Sequence, residues 1–285
     1  MPLEPGLYLV ATPIGNLEDI TLRALRVLKE VDRIACEDTR QTQKLLNHFD
    51  ISTSTISYHE HNEQSRTLEL IALLQQGGRV AVVSDAGTPA FSDPGLDLVR
   101  AAVAAGVPVI PIPGANAALA ALIASGLDTE RVLYVGFLAA KPGTRRTELE
   151  ALASRIQGLT LVVYEAPHRI QETLADVEAV WGESVRVVVA RELTKLHEEF
   201  LRGTVREVRS ELAARDRIRG EIVLLIDAAP VAQPANAGGS VVQQLSKLME
   251  AEGLDEKDAL KRVARERGVS KSEVYRELQR ERSKK

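Results

Sequence analysis

The sequence predicts an α/β fold, with two α/β domains in succession and a small helical module at the end of the chain. Three observations predict it. Over residues 1–117, short apolar runs alternate with segments of helical spacing, the pattern of a mostly parallel sheet covered by helices on both faces. After Gly126 the pattern changes, which indicates a second α/β domain with a mixed sheet. An uncharged linker then precedes a basic helical tail.

The first domain, residues 1–117, contains five apolar runs that predict strands and four segments that predict helices. The strands are predicted at residues 7–12, 33–36, around Ile56, 79–83 and 107–112. The helices have apolar residues at helical spacing and are predicted at 21–31, 41–48, 65–76 and 96–105. Glycines directly after the last two helices favour these end points.

The second domain, residues 118–229, begins with a helical pattern that Asn116 is placed to cap. Strands are predicted at 131–138, 160–164, 185–192, 199–205 and 221–227. Helices are predicted at 147–155, 170–181 and 205–215. Because strands and helices do not alternate strictly here, a mixed sheet is expected rather than a parallel one.

The end of the chain differs in composition from both domains. Residues 230–240 carry no charge and no large apolar side chain, as in a linker. Residues 241–285 carry 12 Lys or Arg against 9 Asp or Glu. Two helical faces flank a predicted turn at 268–270, formed by Ala259, Val263 and Ala264 and by Val274, Tyr275 and Leu278. This helix-turn-helix spacing leaves two interpretations open: contact with nucleic acid, or a helical hairpin docked on the body or on a partner subunit.

Composition excludes several classes of protein. Of the 285 residues, 45% are apolar and only 4% aromatic, so the expected cores are aliphatic. A net charge of −4 gives no overall nucleic-acid signature, although local patches decide such binding. The single cysteine, Cys36, excludes a disulfide framework and a cysteine metal site. With no signal-peptide pattern and no long apolar run, we expect a soluble cytoplasmic protein without a metal or a membrane anchor.

Three turns rich in Gly and Pro follow apolar runs and indicate a ligand site. They are TPIGN at 12–16, DAGTP at 85–89 and PGAN at 113–116. None matches the glycine-rich dinucleotide or phosphate loops, and no nucleophile elbow is present. Because ligands of open α/β sheets bind at the carboxyl ends of the strands, the turns predict a cleft lined by backbone groups and a few carboxylates. Such a cleft suits a compact, partly cationic ligand.

The middle turn is part of a longer loop, SDAGTPAFSDPG at residues 84–95. A plain connection between a strand and a helix needs only about 2–6 residues, so this length favours a binding role. The alternative is a long connection in which Ser92 and Asp93 cap the next helix and Pro94 takes its first position.

Six motifs in order carry a resemblance to a known family. They are TPIGNLEDITLRAL, CEDTR, SDAGTPAFSDPG, PGANAALAALIASG, YEAPHR and ARELTKLHEE. The chain resembles the tetrapyrrole-methylase superfamily of S-adenosylmethionine-dependent methyltransferases, and most of all its branch that methylates a cytidine ribose 2′-hydroxyl in 16S ribosomal RNA. The resemblance covers residues 7–227, and the tail is similar to a helical module of that branch. TPIGN and Gly87-Thr88-Pro89 depart from the superfamily's usual turns and fit the RNA branch.

The resemblance implies a cofactor, a partner and a set of binding residues. S-adenosylmethionine is expected in a cleft between the two α/β domains, the substrate is 16S rRNA or the small ribosomal subunit, and the protein is expected to be a homodimer. The residues expected at the cofactor are Pro13, Ala86, Gly87, Thr88, Phe91, Asn116, Ala117, Glu165 and Leu193. For the apolar ones, simple packing is the alternative.

Methyl transfer to a ribose oxygen needs a base within hydrogen-bond reach, because the hydroxyl is a poor nucleophile until its proton is removed or shared. The candidates are Asp85, Glu165, His168 and Glu192. His168 has an ordinary pKa near neutrality, but a structural His that caps the helix at 170–181 is an equal alternative.

RNA phosphates need cationic partners. The candidates are Arg40, Lys141, Arg145, Arg146, Arg169, Arg191 and Lys195. The segment AKPGTRR is expected to be a flexible basic loop beside the cleft, although cations such as its three are more often solvated surface. The polar stretch at residues 59–63 is a candidate contact of the substrate nucleotide.

Two further functions compete with RNA methylation. A methyltransferase acting on a tetrapyrrole would need no basic helical tail, and a large flat ligand favours more aromatic residues than this chain has. A non-enzymatic nucleic-acid-binding protein would not need two α/β domains with three specialised turns.

Overall fold

The first sheet is parallel throughout and forms the centre of the first half of the chain. The computed structural model describes residues 3–156, 158–228, 240–252, 254–267 and 271–282. The strands are β1 (Gly6–Val10), β2 (Arg33–Cys36), β3 (Thr55–Ser57), β4 (Arg79–Val83) and β5 (Val109–Ile112). Their order is β3-β2-β4-β1-β5, and every pair is parallel. The predicted parallel sheet is therefore confirmed.

Helices cover both faces of this sheet, as its apolar strands require. They are α1 (Leu22–Glu30), α2 (Thr39–His48), α3 (Glu63–Gln75) and α4 (Leu96–Ala104). One apolar core packs α1 against one face, with Val27 and Leu28 fully buried. A second core packs α3 and α4 against the other face, around Leu70 and Leu98. Burial of each such side chain contributes about 1.5–3 kcal/mol.

The second sheet is mixed, as the sequence predicts. Its strands are β6 (Val132–Phe137), β7 (Leu159–Glu165), β8 (Arg186–Arg191), β9 (Glu199–Thr204) and β10 (Ile222–Ala228). The order is β6-β7-β10-β8-β9, with β6 and β7 parallel and the other pairs antiparallel. Three helices, α6 (Pro142–Arg155), α7 (Ile170–Trp181) and α8 (Val205–Ala213), pack on one face around Leu174 and Leu224.

Helix α5 (Ala117–Ser125) joins the two sheets and covers the other face of the second one. Its buried residues Ala121 and Leu122 lie in a core with Val188 and Leu225 of that sheet. Ile14, from the turn after β1, reaches the same core. The carboxyl edge of the first sheet is therefore held beside the second sheet within one compact unit, residues 1–228.

A second compact unit covers residues 229–285 and contains three helices in its described part. They are α9 (Val241–Glu252), α10 (Glu256–Arg267) and α11 (Lys271–Arg282). Two of them match the predicted pair, and the predicted turn at 268–270 lies outside the described residues, as does most of the predicted linker. Ala259, Val263, Val274 and Leu278 are buried as expected, but Tyr275 is 47% exposed and does not belong to the buried face. Within the described ranges, no helix has the length and apolar character that a membrane span requires.

Candidate active site

The three turns meet at the carboxyl edge of the first sheet, as predicted. Thr12, two residues after the end of β1, pairs with Gly87 of the long loop through two backbone hydrogen bonds of 2.8 and 3.0 Å. Gly87 has a φ of +82°, which favours glycine, and a Cβ there would lie 3.2 Å from Ile14 Cγ2. The first and second turns are therefore fixed against each other by backbone contacts.

The third turn is joined to the second by side-chain hydrogen bonds. The Asn116 side chain caps α5 by accepting from the Leu119 N–H at 3.1 Å, as predicted. Its amide also donates to Thr88 Oγ1 at 3.3 Å, and the Thr88 hydroxyl donates to the Ala115 carbonyl at 3.2 Å. These bonds fix the second turn, residues 85–89, against the third turn, residues 113–116.

The long loop at residues 84–95 adopts an unusual backbone. Ala90 and Ser92 both have a φ of +63°, a left-handed conformation that costs non-glycine residues free energy. Gly95, not Ser92 or Asp93, is the N-cap of α4, and no side chain caps that helix. The alternative interpretation of this loop as a capped connection is therefore wrong.

Three adjoining cavities form one continuous cleft between the sheets, since Ile14 and Glu221 line all three. We call the first the apolar compartment. Its volume is about 330 Å³. It is lined by Ile14, Ala117, Phe137, Tyr164, Glu165, Ala166, Pro167, Ala190, Leu193, Gly220, Glu221, Ile222 and Val223.

The other two cavities are more polar. The loop compartment, of about 240 Å³, is lined by Ile14, Asp85, Ala86, Gly87, Thr88, Phe91, Asp93, Asn116, Ala117, Tyr164 and Glu221. The open compartment, of about 580 Å³, is lined by Thr12, Pro13, Ile14, Gly15, Leu17, Gln41, Lys44, Leu45, His48, Asp85, Ala86, Lys195 and Glu221. Each of the nine residues expected at the cofactor lines one of the three compartments.

Glu165 lines the apolar compartment, but its carboxylate is occupied. It accepts hydrogen bonds from the Ala166 N–H at 2.7 Å, from Arg169 Nε at 2.8 Å and from the Thr173 hydroxyl at 2.6 Å. The residue is only 3% exposed. These contacts give the carboxylate a structural role at the start of α7, and its candidacy as a base is disfavoured.

Glu192 lies at the end of β8 in a strained turn. Its φ is +52° and that of Thr194 is +65°. The carboxylate accepts from Lys195 Nζ at 2.9 Å and from the Glu221 N–H at 3.0 Å. The hydrogen bond from Lys195 holds the pKa of Glu192 below its usual range. Because Lys195 also pairs with Glu221 at 3.1 Å, this network fixes one wall of the open compartment.

Asp85 is the predicted base that lies most directly in the cleft. It is exposed and lines both the loop compartment and the open compartment. Its Oδ1 accepts the Asp38 N–H at 3.1 Å, which ties the turn after β2 to the long loop.

His168 is not placed at the cleft. It is exposed and lines a separate surface depression with Leu212 and Arg215. The N-cap of α7 is Arg169, which makes no side-chain cap. Both interpretations of His168, as a base and as a cap, are therefore corrected, because the chain turns at Ala166 and Pro167 and directs the next side chain outward.

Two expectations about the basic segment AKPGTRR are also wrong. The segment is not a loop: Lys141 is the N-cap of α6 and Pro142 its first residue, a position that suits proline. Arg145 is 1% exposed and pairs with Asp176 at 2.7 Å and Glu172 at 3.3 Å. A guanidinium enclosed in this way holds α6 against α7 and does not reach an RNA phosphate.

The other predicted cations differ in how freely they face solvent. Arg169 and Arg191 are bound to Glu165 and Glu199 at 2.7 and 2.9 Å, with side chains 16% and 18% exposed. Lys141 and Arg146 are exposed. Arg40 pairs with Asp38, and its side chain is 87% exposed. The exposed group is therefore the better source of phosphate contacts.

Sequence reasoning placed neither Asp93 nor Lys44 among its candidate catalytic, cofactor-binding or RNA-binding residues. Asp93 lines the loop compartment, and its motif, SDPG, is a helix-start signal that hid its position. Lys44 lines the open compartment beside Gln41, and only its place on a short amphipathic helix pointed to it.

The polar stretch at 59–63 is a hydrogen-bonded turn that leads into α3. Asn62 Oδ1 accepts the His59 N–H at 2.9 Å. Glu63 Oε1 accepts from the Tyr58 hydroxyl at 2.9 Å and from the Gly95 N–H at 3.4 Å. Glu63 therefore ties this turn to the end of the long loop.

Comparison with known proteins identifies the family. The family model described as Tetrapyrrole (Corrin/Porphyrin) Methylases matches residues 6–209. The chain belongs to this family. The motif-based recognition, the fold class and the predicted enzyme class, an S-adenosylmethionine-dependent methyltransferase, are thereby confirmed.

Curated relatives of this tetrapyrrole methylase are similar along nearly the whole chain. The ribosomal RNA small subunit methyltransferase I of Halalkalibacterium halodurans is 50% identical, with 94% of this chain and 93% of the relative covered. The protein of the same name from Synechocystis is 47% identical, with 94% and 95% covered.

Solved structures of more distant proteins share the fold. Diphthine synthase aligns with a TM-score of 0.61 at 15% identity, covering 78% of this chain and 89% of the other. Uroporphyrin-III C-methyltransferase from Thermus thermophilus, complexed with S-adenosyl homocysteine, aligns with a TM-score of 0.55 at 20% identity, covering 80% and 99%.

Proposed function

We propose that this chain transfers the methyl group of S-adenosylmethionine to the 2′-hydroxyl of a cytidine ribose in 16S ribosomal RNA. The observation that carries the proposal is the 43–50% identity, over more than nine tenths of the chain, to relatives named ribosomal RNA small subunit methyltransferase I. The cleft supports it, because all the residues expected at the cofactor lie on its walls.

The donor groups of the cleft fit this cofactor. The apolar compartment offers aliphatic and aromatic side chains, among them Leu193 and Tyr164, to an adenosine group. The loop compartment brings the carboxyls of Asp85, Asp93 and Glu221 around one cavity, an arrangement that attracts a sulfonium cation. The bound cofactor supplies an electrophilic methyl group.

The protein then contributes position and electrostatics. The two backbone bonds between Thr12 and Gly87 and the Asn116–Thr88 contact fix the turns before a ligand arrives. Ile14, Phe91 and Tyr164 add apolar surface to the walls of the loop compartment. A carboxylate in this cavity accepts the proton of the ribose hydroxyl.

The test is to titrate the purified protein with S-adenosylmethionine by calorimetry and to map ribose methylation on 16S rRNA and on small ribosomal subunits with labelled cofactor. We expect saturable binding and one methylated cytidine ribose. Absence of cofactor binding, or methylation of a base instead of a ribose, would contradict the proposal. The two RNA preparations distinguish free rRNA from the assembled subunit as the substrate.

The RNA path is proposed along α2, beside the open compartment. Arg40, Gln43, Lys44 and Asn47 line one surface depression of this helix, and Lys44 also lines the cleft. The Arg40–Asp38 pair is exposed to solvent, so it is weak and exchanges readily for a phosphate.

We expect Lys44→Ala to weaken binding to RNA of any base sequence, because Lys44 is proposed to contact a phosphate. Loss of one phosphate contact lowers the slope of log affinity against log salt by about 0.7–0.9. Binding of labelled rRNA fragments is measured between 50 and 200 mM salt, concentrations chosen to bracket this effect. Arg100→Ala, on the exposed surface of α4, is the matched control. If the salt dependence of RNA binding is unchanged in the Lys44 variant, the RNA does not bind along α2.

We also propose that the enzyme is a homodimer that works in the cytoplasm, where its RNA substrate lies. Leu119 and Ile123 are 60% and 78% exposed on one face of α5, and apolar faces of this kind support subunit contact. Ile123→Glu is expected to shift the sedimentation coefficient from dimer to monomer. A wild-type protein that sediments as a monomer would refute this part of the proposal.

A further inference from the structure

The carboxyls of the loop compartment are not equivalent. Asp85 Oδ1 accepts the Asp38 N–H at 3.1 Å. Glu221 Oε2 accepts from Lys195 at 3.1 Å. Asp93 is half-buried in the same cavity, and the hydroxyl of the nearby Ser84 donates to the Ala86 carbonyl at 3.1 Å. Asp93 therefore keeps acceptor capacity for a ligand, because a carboxylate has about four acceptor positions.

The backbone around Asp93 is held in place by contacts with the second sheet and with α3. The neighbouring Ser92 is left-handed, and its hydroxyl lies 2.6 Å from the hydroxyl of Tyr134 in β6. The Phe91 ring stacks on the Tyr134 ring with centroids 4.0 Å apart. The Gly95 N–H donates to Glu63. Strained backbone that the surrounding structure enforces is typical of functional positions, and here it places Asp93 on the cavity wall.

The surroundings of Asp93 disfavour its charged form. Burial, together with the nearby carboxyls of Glu37 and Asp85, raises the pKa of Asp93 to about 6. Burial raises the pKa of Tyr134 and of Tyr164 in the second sheet, and the charge of Asp93 adds to both shifts. A base is most effective when its pKa lies near the working pH, so this environment suits proton transfer.

We propose that Asp93 is the catalytic carboxylate that accepts the proton of the substrate ribose hydroxyl, an assignment that rests on the proposed function. The ribose oxygen forms a bond to the methyl carbon as the carbon–sulfur bond breaks. The electron pair of that bond stays on sulfur, which becomes a neutral thioether. The hydroxyl proton moves to an oxygen of Asp93, which is protonated at the end of the step and then releases the proton to solvent.

The test is Asp93→Asn, assayed for kcat between pH 5 and 9 at saturating cofactor and rRNA. The wild-type kcat is expected to rise tenfold per pH unit below about pH 6 and to level off above it, because the carboxylate is the active form. The kcat of the variant is expected to be about 10²–10⁴-fold lower and no longer to fall as the pH drops below about 6. Its affinity for S-adenosylmethionine is expected to change less than threefold.

Three comparisons keep the result interpretable. Asp97→Asn, on the exposed first turn of α4, is the matched control and should leave the kcat profile unchanged. Asp93→Glu should restore part of the activity. Asp93→Asn should melt at or above the wild-type Tm at pH 8, since it removes a charge that is crowded by two carboxyls.

Two outcomes overturn the assignment in different ways. An active wild-type protein together with an Asp93→Asn variant that keeps its kcat and its acid limb contradicts the assignment alone. A wild-type protein that binds no S-adenosylmethionine and methylates no rRNA contradicts the proposed function, and the assignment with it.

Discussion

Replacing Ala117 by tryptophan should abolish cofactor binding while leaving the fold intact. Ala117 is the first residue of α5 and lines both the apolar compartment and the loop compartment. An indole there fills space that the cofactor needs, whereas the Asn116 side chain still accepts from the Leu119 N–H and caps α5. We expect the affinity to fall at least about 100-fold, equivalent to about 2.8 kcal/mol.

Calorimetric titration of the Ala117→Trp variant with S-adenosylmethionine measures this loss. Val103→Trp, at a residue 65% exposed on α4, adds the same side chain outside the cleft and should bind like the wild type. If the Ala117 variant keeps a wild-type Tm and binds the cofactor normally, the cofactor does not occupy these two compartments.

Replacing Glu165 by alanine should destabilise the protein rather than slow the reaction. The substitution leaves the Ala166 N–H, the Arg169 guanidinium and the Thr173 hydroxyl without their acceptor in a site that is nearly closed to water. Removing one partner of such a pair costs about 3 kcal/mol. For a unit of this size we expect a Tm decrease of about 6–12 °C.

The measurement is thermal unfolding followed by kcat at a temperature where the variant is still folded. Glu183→Ala, which breaks the exposed ion pair with Arg206, is the matched control and should change the free energy of unfolding by less than about 0.5 kcal/mol. If the Glu165→Ala protein is as stable as the wild type but its kcat is much lower, Glu165 acts in the reaction and is again a candidate for the catalytic base.

The elements that the sequence predicted best are buried apolar runs between clear turn signals. The strands Arg33–Cys36 and Arg79–Val83 and the helix Ile170–Trp181 have the predicted bounds, because burial on both faces of a strand or along one helix face is visible in local spacing. The sequence also predicts that the three turns meet, because the carboxyl ends of parallel strands lie along one edge of a sheet.

The errors arose where distant residues decide the outcome. Arg145 looked like a surface cation because its partner Asp176 lies 31 positions away on a different helix. The segment AKPGTRR looked like a loop, although Pro142 is the first residue of α6, a position that tolerates proline. The sequence offers Asp93 both as a polar group of the ligand loop and as a helix cap, and it does not decide between them because a left-handed Ser92 has no signature in the sequence.

The strained loop at residues 84–95 sets a limit on how this enzyme can be made heat-resistant. A carboxyl whose pKa is higher in the folded protein than in the unfolded chain lowers stability as pH rises through that interval, and Asp93, whose pKa burial raises to about 6, is such a group. Ala90 and Ser92 add backbone strain that glycine would relieve. A library selected only for resistance to heating would therefore enrich substitutions in this loop, and its winners would be well-folded proteins that no longer methylate RNA.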